Sequence, residues 1–576
     1  MTLTPSPDDP WIATLDVAGL SLPLLALGGI HPTGVYDGWS EPVWKQAASG
    51  WDLECRSTQW DRATIKFRPV SGALEVGLEV EGKGDIDVIN FLEGALAGRT
   101  PHPQNTMAMV RHNRLPARYY GRATPVFHQR VFNPQPEART GPWLEPAELS
   151  LITVAGTFGP DRFDTFFSPG IWCYVLDLGP EGFLSLGLVA EPGTQHFHTF
   201  EYRGGSGFGL AVKYDGKVAV DGTFSSPRLR IGWHEDADGA LKDYTAYLRD
   251  SGRVAKPAGK TIPDWWRRPF FCGWGSQVAW SRLARNRSTA IFDQGPAESS
   301  GGGYATQEVY GKMVSLLEEH RLPYGTLIID MGWSHTMSMP VINTERWPDL
   351  PGFIRGQHAK GKRVLLWLSC WAAAEQPQEY LIEADAGLKP VIDPTRLAFR
   401  EKLQKEIAWL VGPEVDADGF KLDFTGDGPR GPGYRPSQPI YGLELLREYL
   451  KLIQDAMKAV KPEALMMTHC ANPYLGDVTD VLRLNDLFFD QIDIREGMAF
   501  RARMARIACP EWLIDCDGDP FNSPESWLQY KLFQPSIGIP SLYDLTHTSG
   551  ATEPIPAESV AKVRAVWEKY LLDNGL

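Results

Sequence analysis

The chain has 576 residues, 43% of them hydrophobic and 22% charged, with a formal net charge of -14 at pH 7. That length calls for two or three domains and allows a large core. The acidic balance argues against nucleic acid or an anionic membrane as partner, because either is met by a basic patch and none is visible. The 20 Trp and 57 Gly are on the high side for a globular protein, which fits a large core or aromatic surfaces that stack on sugar rings.

The opening stretch Met1–Pro10 has neither a basic nor an apolar signal region, so the expectation is a cytoplasmic protein. No apolar run approaches the roughly 20 residues of a membrane span. The seven cysteines (55, 173, 272, 370, 470, 509, 516) are scattered and form no CxxC pair, so buried thiols are expected rather than disulfides or a zinc site. From Trp11 to about Gly232 short alternating segments lie between Gly and Asp turns, for example Leu74-Glu-Val-Gly-Leu-Glu-Val80. This period of two predicts an antiparallel β-sandwich, whose role is sugar binding or packing against the next domain. Apolar residues at helical spacing (Leu241, Tyr244, Tyr247, Leu248) predict one helix over Asp238–Ser251, and Pro257, Gly259 and Pro263 mark a linker. The domains are therefore expected at 1–255 and 268–576, with a linker at 256–267.

After Pro263 the pattern changes to eight apolar runs separated by helical stretches. The runs are Phe270–Ser276, Thr326–Trp333, Arg363–Trp371, Gly419–Phe424, Ala464–Cys470, Asp480–Asp486, Glu511–Asp517 and Ser536–Leu545. Helices are expected over Tyr304–His320, Leu397–Leu410, Tyr441–Ala459, Ser523–Phe533 and Ser559–Leu572. The fold class is thus α/β, a (β/α)8 TIM barrel preceded by the β-sandwich. An open doubly wound sheet is the structural alternative, but no GxGxxG follows any run. Gly301-Gly-Gly303 ends a long loop from Val278 and reads as lid flexibility, since it lacks the Lys-Ser/Thr of a phosphate loop.

A barrel gathers its site at the C-terminal strand ends. Those ends carry Trp274, Asp330 with Trp333, Trp367, Lys421 with Asp423, His469, Arg483 with Asp486, and Asp515 with Asp517. The stretch Asp416–Phe424 brings Lys421 and Asp423 to the end of a buried strand. Asp423 is read as a catalytic nucleophile, the bland alternative being a Lys and an Asp that pair with each other or face solvent. Carboxylates gathered with Trp, one Lys and one Arg suit glycosidic bond chemistry, in which one carboxylate attacks the anomeric carbon and another protonates the leaving oxygen. A divalent ion on His469, Asp515 and Asp517 is the competing reading; no HxH or HxxxH spacing supports it, and no metal or cofactor is expected.

The ordered series Gly273-Trp274, Ile-Ile-Asp330-x-Gly-Trp333, Trp347-Pro-Asp-Leu-Pro-Gly352, His358-x-x-Gly-Lys-x-Val-x-Leu-Trp367 and Lys421-x-Asp423 resembles the clan of retaining α-glycosidases. That clan holds the α-galactosidases and raffinose synthases (glycoside hydrolase families 27 and 36) and the α-glucosidase family 31. The resemblance covers about 268–545, and a sandwich before the barrel looks like family 36. It implies that Asp423 is the nucleophile, that Lys421 and Asp330 bind sugar hydroxyls, and that Trp274 and Trp333 wall the −1 subsite. It points to Asp486, after Arg483, as the acid/base, with Asp490 and Asp493 close behind. Trp367, His469, Arg483 and Asp517 complete the candidate substrate-binding set. Asp423 is expected to be held ionised by Lys421, and Arg483 to contact the sugar or another carboxylate rather than Asp486.

Two departures stand out. Met331 occupies the place of the second of two adjacent aspartates that read galactose in that family, and the chain stops soon after the eighth run, without the family's usual C-terminal β-domain. The resulting expectation is a retaining α-glycoside hydrolase, α-galactosidase-like, acting on an oligosaccharide or glycoside. An α-glucosidase-like hydrolase or a raffinose-synthase-like transglycosylase is the alternative within the clan. A non-catalytic carbohydrate-binding protein and a metal-dependent barrel hydrolase are the alternatives outside it. Whether the chain forms a homo-oligomer is left open.

Overall fold

The computed structural model describes residues 1–25, 28–92, 143–144, 171–177, 182–205, 209–255, 262–285, 301–484, 494–518 and 520–576. The N-terminal region is antiparallel β-structure built on two long strands, Ala73–Phe91 and Gly209–Ser225. The first half of Ala73–Phe91 pairs with Arg62–Val70 through a tight turn at Ser71-Gly72, and its second half pairs with Gly209–Ser225. Alternation is legible in the burial: Leu74, Val76, Leu78 and Val80 all face the core. The expected helix forms over Ala237–Asp250, capped by Asp236, whose side chain accepts from Gly239 N. Part of the expected linker, 256–261, lies outside the described residues.

The eight runs then form one parallel sheet in chain order. Its strands are β1 (Phe270–Cys272), β2 (Thr326–Ile329), β3 (Arg363–Ser369), β4 (Gly419–Asp423), β5 (Leu465–Thr468), β6 (Val481–Arg483), β7 (Leu513–Asp515) and β8 (Ser541–Leu542). Strand β8 pairs with β1, and a bridge between Asp515 and Ile539 ties β7 to the run leading into β8. Around it lie α1 (Trp274–Arg285), α2 (Gln307–Glu319), α3 (Leu350–His358), α4 (Leu397–Val411), α5 (Gly442–Val460), α6 (Ile494–Ala508), α7 (Pro524–Phe533) and α8 (Ala557–Asp573). Among the described residues no helix is long and apolar enough to cross a membrane.

Two local expectations are corrected, and one element is new. The first run stops at Cys272, and the segment expected to start a loop at Val278 is helix α1; its continuation, 286–300, lies outside the described residues. Val278 and Ala279 are buried, so an apolar face and not glycine content decides that stretch. The motif around Trp347, to which the sequence assigned no element, opens a short helix, α3, because Asp349 caps it: its carboxylate accepts from Gly352 N at 2.8 Å. Between β5 and β6 the connection is a 3-10 turn, Pro473–Val478, instead of an α-helix.

Parallel pairing puts register partners on the same face. Trp367, Lys421, Met467, Val481 and Leu513 are successive partners across β3 to β7. Two residues further along, the next inward row is Asp423, His469, Arg483 and Asp515. Below these rows the barrel is filled by Phe270, Ile328, Leu365, Leu465 and Ile539. An apolar plug under a polar row is how this sequence makes a site at one end only.

The N-terminal domain braces the loop that follows β4. Gln195 N donates to Glu444 Oε1 at 2.9 Å, and Gly431 N donates to Asp215 Oδ2 at 2.5 Å. Asp215 is itself paired with His198 at 2.7 Å. The loop after β4 is thus tied to the N-terminal domain at Gly431, and the helix that follows it is tied at Glu444.

Candidate active site

Two ion-paired groups meet at the mouth of the barrel. In the first, Lys421 Nζ donates to Asp330 Oδ2 at 2.7 Å, and the Cys272 thiol donates to the same oxygen at 3.0 Å. Asp330 Oδ1 accepts from Met331 N at 2.8 Å, so the carboxylate is fixed at both ends. In the second, Arg483 forks: Nη2 donates to Asp423 Oδ1 and Nη1 to Asp517 Oδ2, each at 2.9 Å. Trp367 Nε1 donates to Asp423 Oδ2 at 3.2 Å and Phe424 N to Oδ1 at 3.0 Å.

Burial alone would raise the Asp423 carboxyl, but Arg483 first, then His469 and Lys421, pull it down to about 2. The expectation that Lys421 holds it ionised is met only in part, since Lys421 comes third, after Arg483 and His469. Lys421 is committed to Asp330, which keeps the ammonium charged despite complete burial. The expectation that Arg483 contacts another carboxylate is met twice over, and one of the two is Asp423 itself.

The other residues fall as follows. Trp333 is fully buried, its Nε1 donating to Trp367 O at 2.8 Å, so it backs the site and cannot wall an open pocket. His469 is also fully buried; its Nε2 lies 2.8 Å from the Thr425 hydroxyl and 4.0 Å from Asp423, which props the turn after β4. Trp274 begins α1 and packs half-buried on the barrel interior. Asp486, Asp490 and Asp493 lie outside the described residues.

Phe424 and Asp517 follow β4 and β7 with φ of 54° and 56°. Left-handed backbone at non-glycine residues is strained and concentrates at functional sites. At Asp517 the turn lets its own Oδ1 accept from Gly518 N at 2.8 Å while Oδ2 faces Arg483. Gly332 explains the glycine of the Asp-x-Gly-Trp motif: φ is 108°, and a Cβ there would lie 2.1 Å from Gly302 O.

Four residues of this region were missed or unassigned in sequence: Cys272, Tyr543, Lys531 and Asp544. Cys272 and Tyr543 look like core residues in any apolar run. Lys531 on α7 and Asp544 after β8 are fully buried, and burial brings Lys531 down to about 8 and Asp544 up to about 7. A carboxyl raised in the folded state holds a proton that the unfolded chain has already released. Its stabilising effect is complete below the unfolded value of about 3.9 and is lost as pH rises to about 7. Asp544→Asn is therefore expected to be neutral near pH 4 and stabilising by about 1–4 kcal/mol at pH 8. Denaturant melts of both proteins across that range check it, and parallel curves would refute it.

No protein-family model and no curated protein matches the sequence. Solved structures do match. A GH31 family sulfoquinovosidase from E. rectale aligns over 100% of this chain and 84% of its own, with TM-score 0.56 at 12% identity. A cycloalternan-degrading enzyme from Trueperella pyogenes aligns over 96% of this chain and 72% of its own, with TM-score 0.52 at 13% identity. A GH31 dextranase from Flavobacterium johnsoniae aligns over 97% and 67%, with TM-score 0.51 at 10% identity. From the N-terminal β-domain through the barrel, the chain shares the fold of these glycoside hydrolases.

Proposed function

We propose that this protein is a retaining α-glycosidase that cleaves a terminal α-linked sugar by double displacement through a glycosyl-aspartate. The observation that carries the reading is the exposure of Asp423. Its side chain is 16% accessible, against 3% for Asp330, 2% for Arg483 and none for Asp517. Of this cluster, the ionised Asp423 opens to the mouth while its partners hold it from behind.

Its two oxygens differ. Among the described residues, Oδ1 accepts from Arg483 and from its neighbour's amide, whereas Oδ2 accepts only the longer bond from Trp367. Oδ2 is therefore the attacking atom, with a lone pair left for the anomeric carbon. Asp486, three residues beyond Arg483, is the proposed acid/base, with Asp490 and Asp493 as alternatives. It protonates the leaving oxygen in the first step and takes a proton from water in the second.

Two sugars compete for the −1 subsite. An α-galactoside follows from the family 27 and 36 resemblance. An α-glucoside is favoured by the thioether of Met331, which replaces a carboxylate that would read galactose. The fold neighbours that act on dextran and cycloalternan support it as well. Incubation with p-nitrophenyl α- and β-glucosides, galactosides and xylosides, followed by proton NMR of the fresh sugar, tests the proposal. Release from one α-glycoside with the α-anomer appearing first is expected. A β-anomer appearing first, or release from no α-glycoside, would overturn it.

A further inference from the structure

We infer that Asp215 is a positioning residue for Asp423: from the N-terminal β-domain it clamps the loop that follows β4, and so fixes where the attacking carboxylate stands. This rests on the glycosidase reading above and adds to it a second domain that the reaction needs.

The clamp is an insertion in an otherwise regular ladder. Strand Gly209–Ser225 pairs with Ala73–Phe91 on both sides of a break, with Lys213 opposite Val88 and Val218 opposite Ile86. Four residues, Tyr214 to Lys217, thus stand against the single residue Asp87, a bulge of the kind that re-aims side chains beside active sites. Asp215 and Gly216 turn it with φ of 55° and 71°, the left-handed pair of a tight hairpin turn. Glycine is needed at the second place, since a Cβ there would lie 2.3 Å from Thr33 Oγ1. Tyr214 roots the bulge in the β-domain core against Phe197 and Phe224.

The polar groups of the bulge reach the barrel. Asp215 Oδ2 accepts from Gly431 N, and Lys217 Nζ donates to Pro432 O at 2.6 Å and to Tyr434 O. Burial alone would raise the Asp215 carboxyl; His198, then Gly431 N and Lys213, hold it below its ordinary value, so the loop meets an anion. From Gly431 the grip runs back toward Asp423. Arg430 Nη2 donates to Gly426 O at 2.5 Å, Trp371 Nε1 to Thr425 O at 2.9 Å, and Asp427 N to Phe424 O at 3.0 Å. Phe424, the left-handed residue next to Asp423, then gives its N–H to Asp423 Oδ1. A reacting group misplaced by about 1 Å costs on the order of 100-fold in rate, so a loop let go at Gly431 is felt at the attacking oxygen.

Asp215→Ala removes the grip on Gly431, whereas Asp215→Asn keeps an oxygen that can accept from it. Both are compared with wild type on the p-nitrophenyl α-glycoside that wild type hydrolyses, well below their melting temperatures, and by hydrogen–deuterium exchange. In Asp215→Ala kcat should fall about 10–100-fold with KM changed less than about threefold. The amides of Phe424, Thr425 and Asp427, which are bonded to groups other than Asp215, should exchange at least about tenfold faster. Asp215→Asn should recover kcat to within about threefold of wild type. An unchanged kcat, an equal loss in Asp215→Asn, or unchanged exchange at those amides overturns the inference. Should Asp215→Ala not fold, Lys217→Met, which loses the bonds to Pro432 O and Tyr434 O, carries the same readouts. If wild type hydrolyses no α-glycoside, the glycosidase reading fails by itself, and the exchange result still decides whether the bulge holds the loop.

Discussion

Replacing Asp423 by Gly is expected to lower turnover of an activated α-glycoside by at least about 10⁴-fold, the usual loss when a covalent nucleophile is removed. The cavity left behind faces the mouth, so a small anion can enter it. Sodium azide should restore part of the rate by attacking the anomeric carbon from the vacated side, giving a β-glycosyl azide. Asp423→Asn separates chemistry from structure. Its single amide oxygen can accept from Phe424 N or from Trp367 Nε1 but not from both, and it loses the charge while keeping the shape, so it should bind the glycoside and not turn it over. Folding should survive in both variants, since Arg483 retains Asp517 at 2.9 Å. Rates in each variant, with and without azide, decide the matter. More than about 1% of wild-type activity in Asp423→Asn, or an α-azide product, would remove Asp423 from the nucleophile role.

The barrel was legible because each strand is a compact apolar run whose neighbours are helical. Those runs were read one to five residues too long at one or both ends, because side chains remain buried after the ladder of hydrogen bonds ends. Trp333, for instance, lies four residues past β2 and is fully buried. The partners of the charged residues were not legible. Lys421 and Asp423, two apart on one strand, share a face, which made their mutual pairing the natural guess. Closing the barrel instead sends Lys421 across β3 to Asp330, just past the end of β2, and Arg483 from β6 past β5 to Asp423 on β4. Nothing in a linear pattern encodes those crossings, because they depend on the stagger of the closed sheet. The role of Trp367 as a donor to Asp423 was hidden for the same reason.

Arg483→Met should be the most informative substitution after Asp423 itself. The guanidinium is 2% exposed and bridges two carboxyl groups, and removing it takes away the cation between Asp423 and the fully buried Asp517. Breaking a buried pair in this way costs about 3–5 kcal/mol at neutral pH. The sign of its pH dependence follows from Asp423. In wild type its folded value of about 2 lies below the unfolded one, so the ion pair stabilises above about pH 4 and fades as pH falls through about 2. Without Arg483 the first counter-charge is gone and burial dominates, so the Asp423 carboxyl moves up and the variant regains stability on acidification. Activity should run the opposite way. Wild type should keep its nucleophile ionised down to about pH 3, while Arg483→Met should lose kcat/KM by about 10²–10³-fold at pH 7 and further tenfold per unit once pH falls below the raised value. Arg483→Lys should restore the charge without the fork, recovering the acid limb but less of the rate, because a point charge cannot hold Asp423 and Asp517 in one plane. Profiles of kcat/KM from pH 3 to 8 for the three proteins measure this directly. An acid limb identical in wild type and Arg483→Met would mean that the charge at Arg483 does not set the ionisation of Asp423, leaving the guanidinium only a structural tie to Asp517.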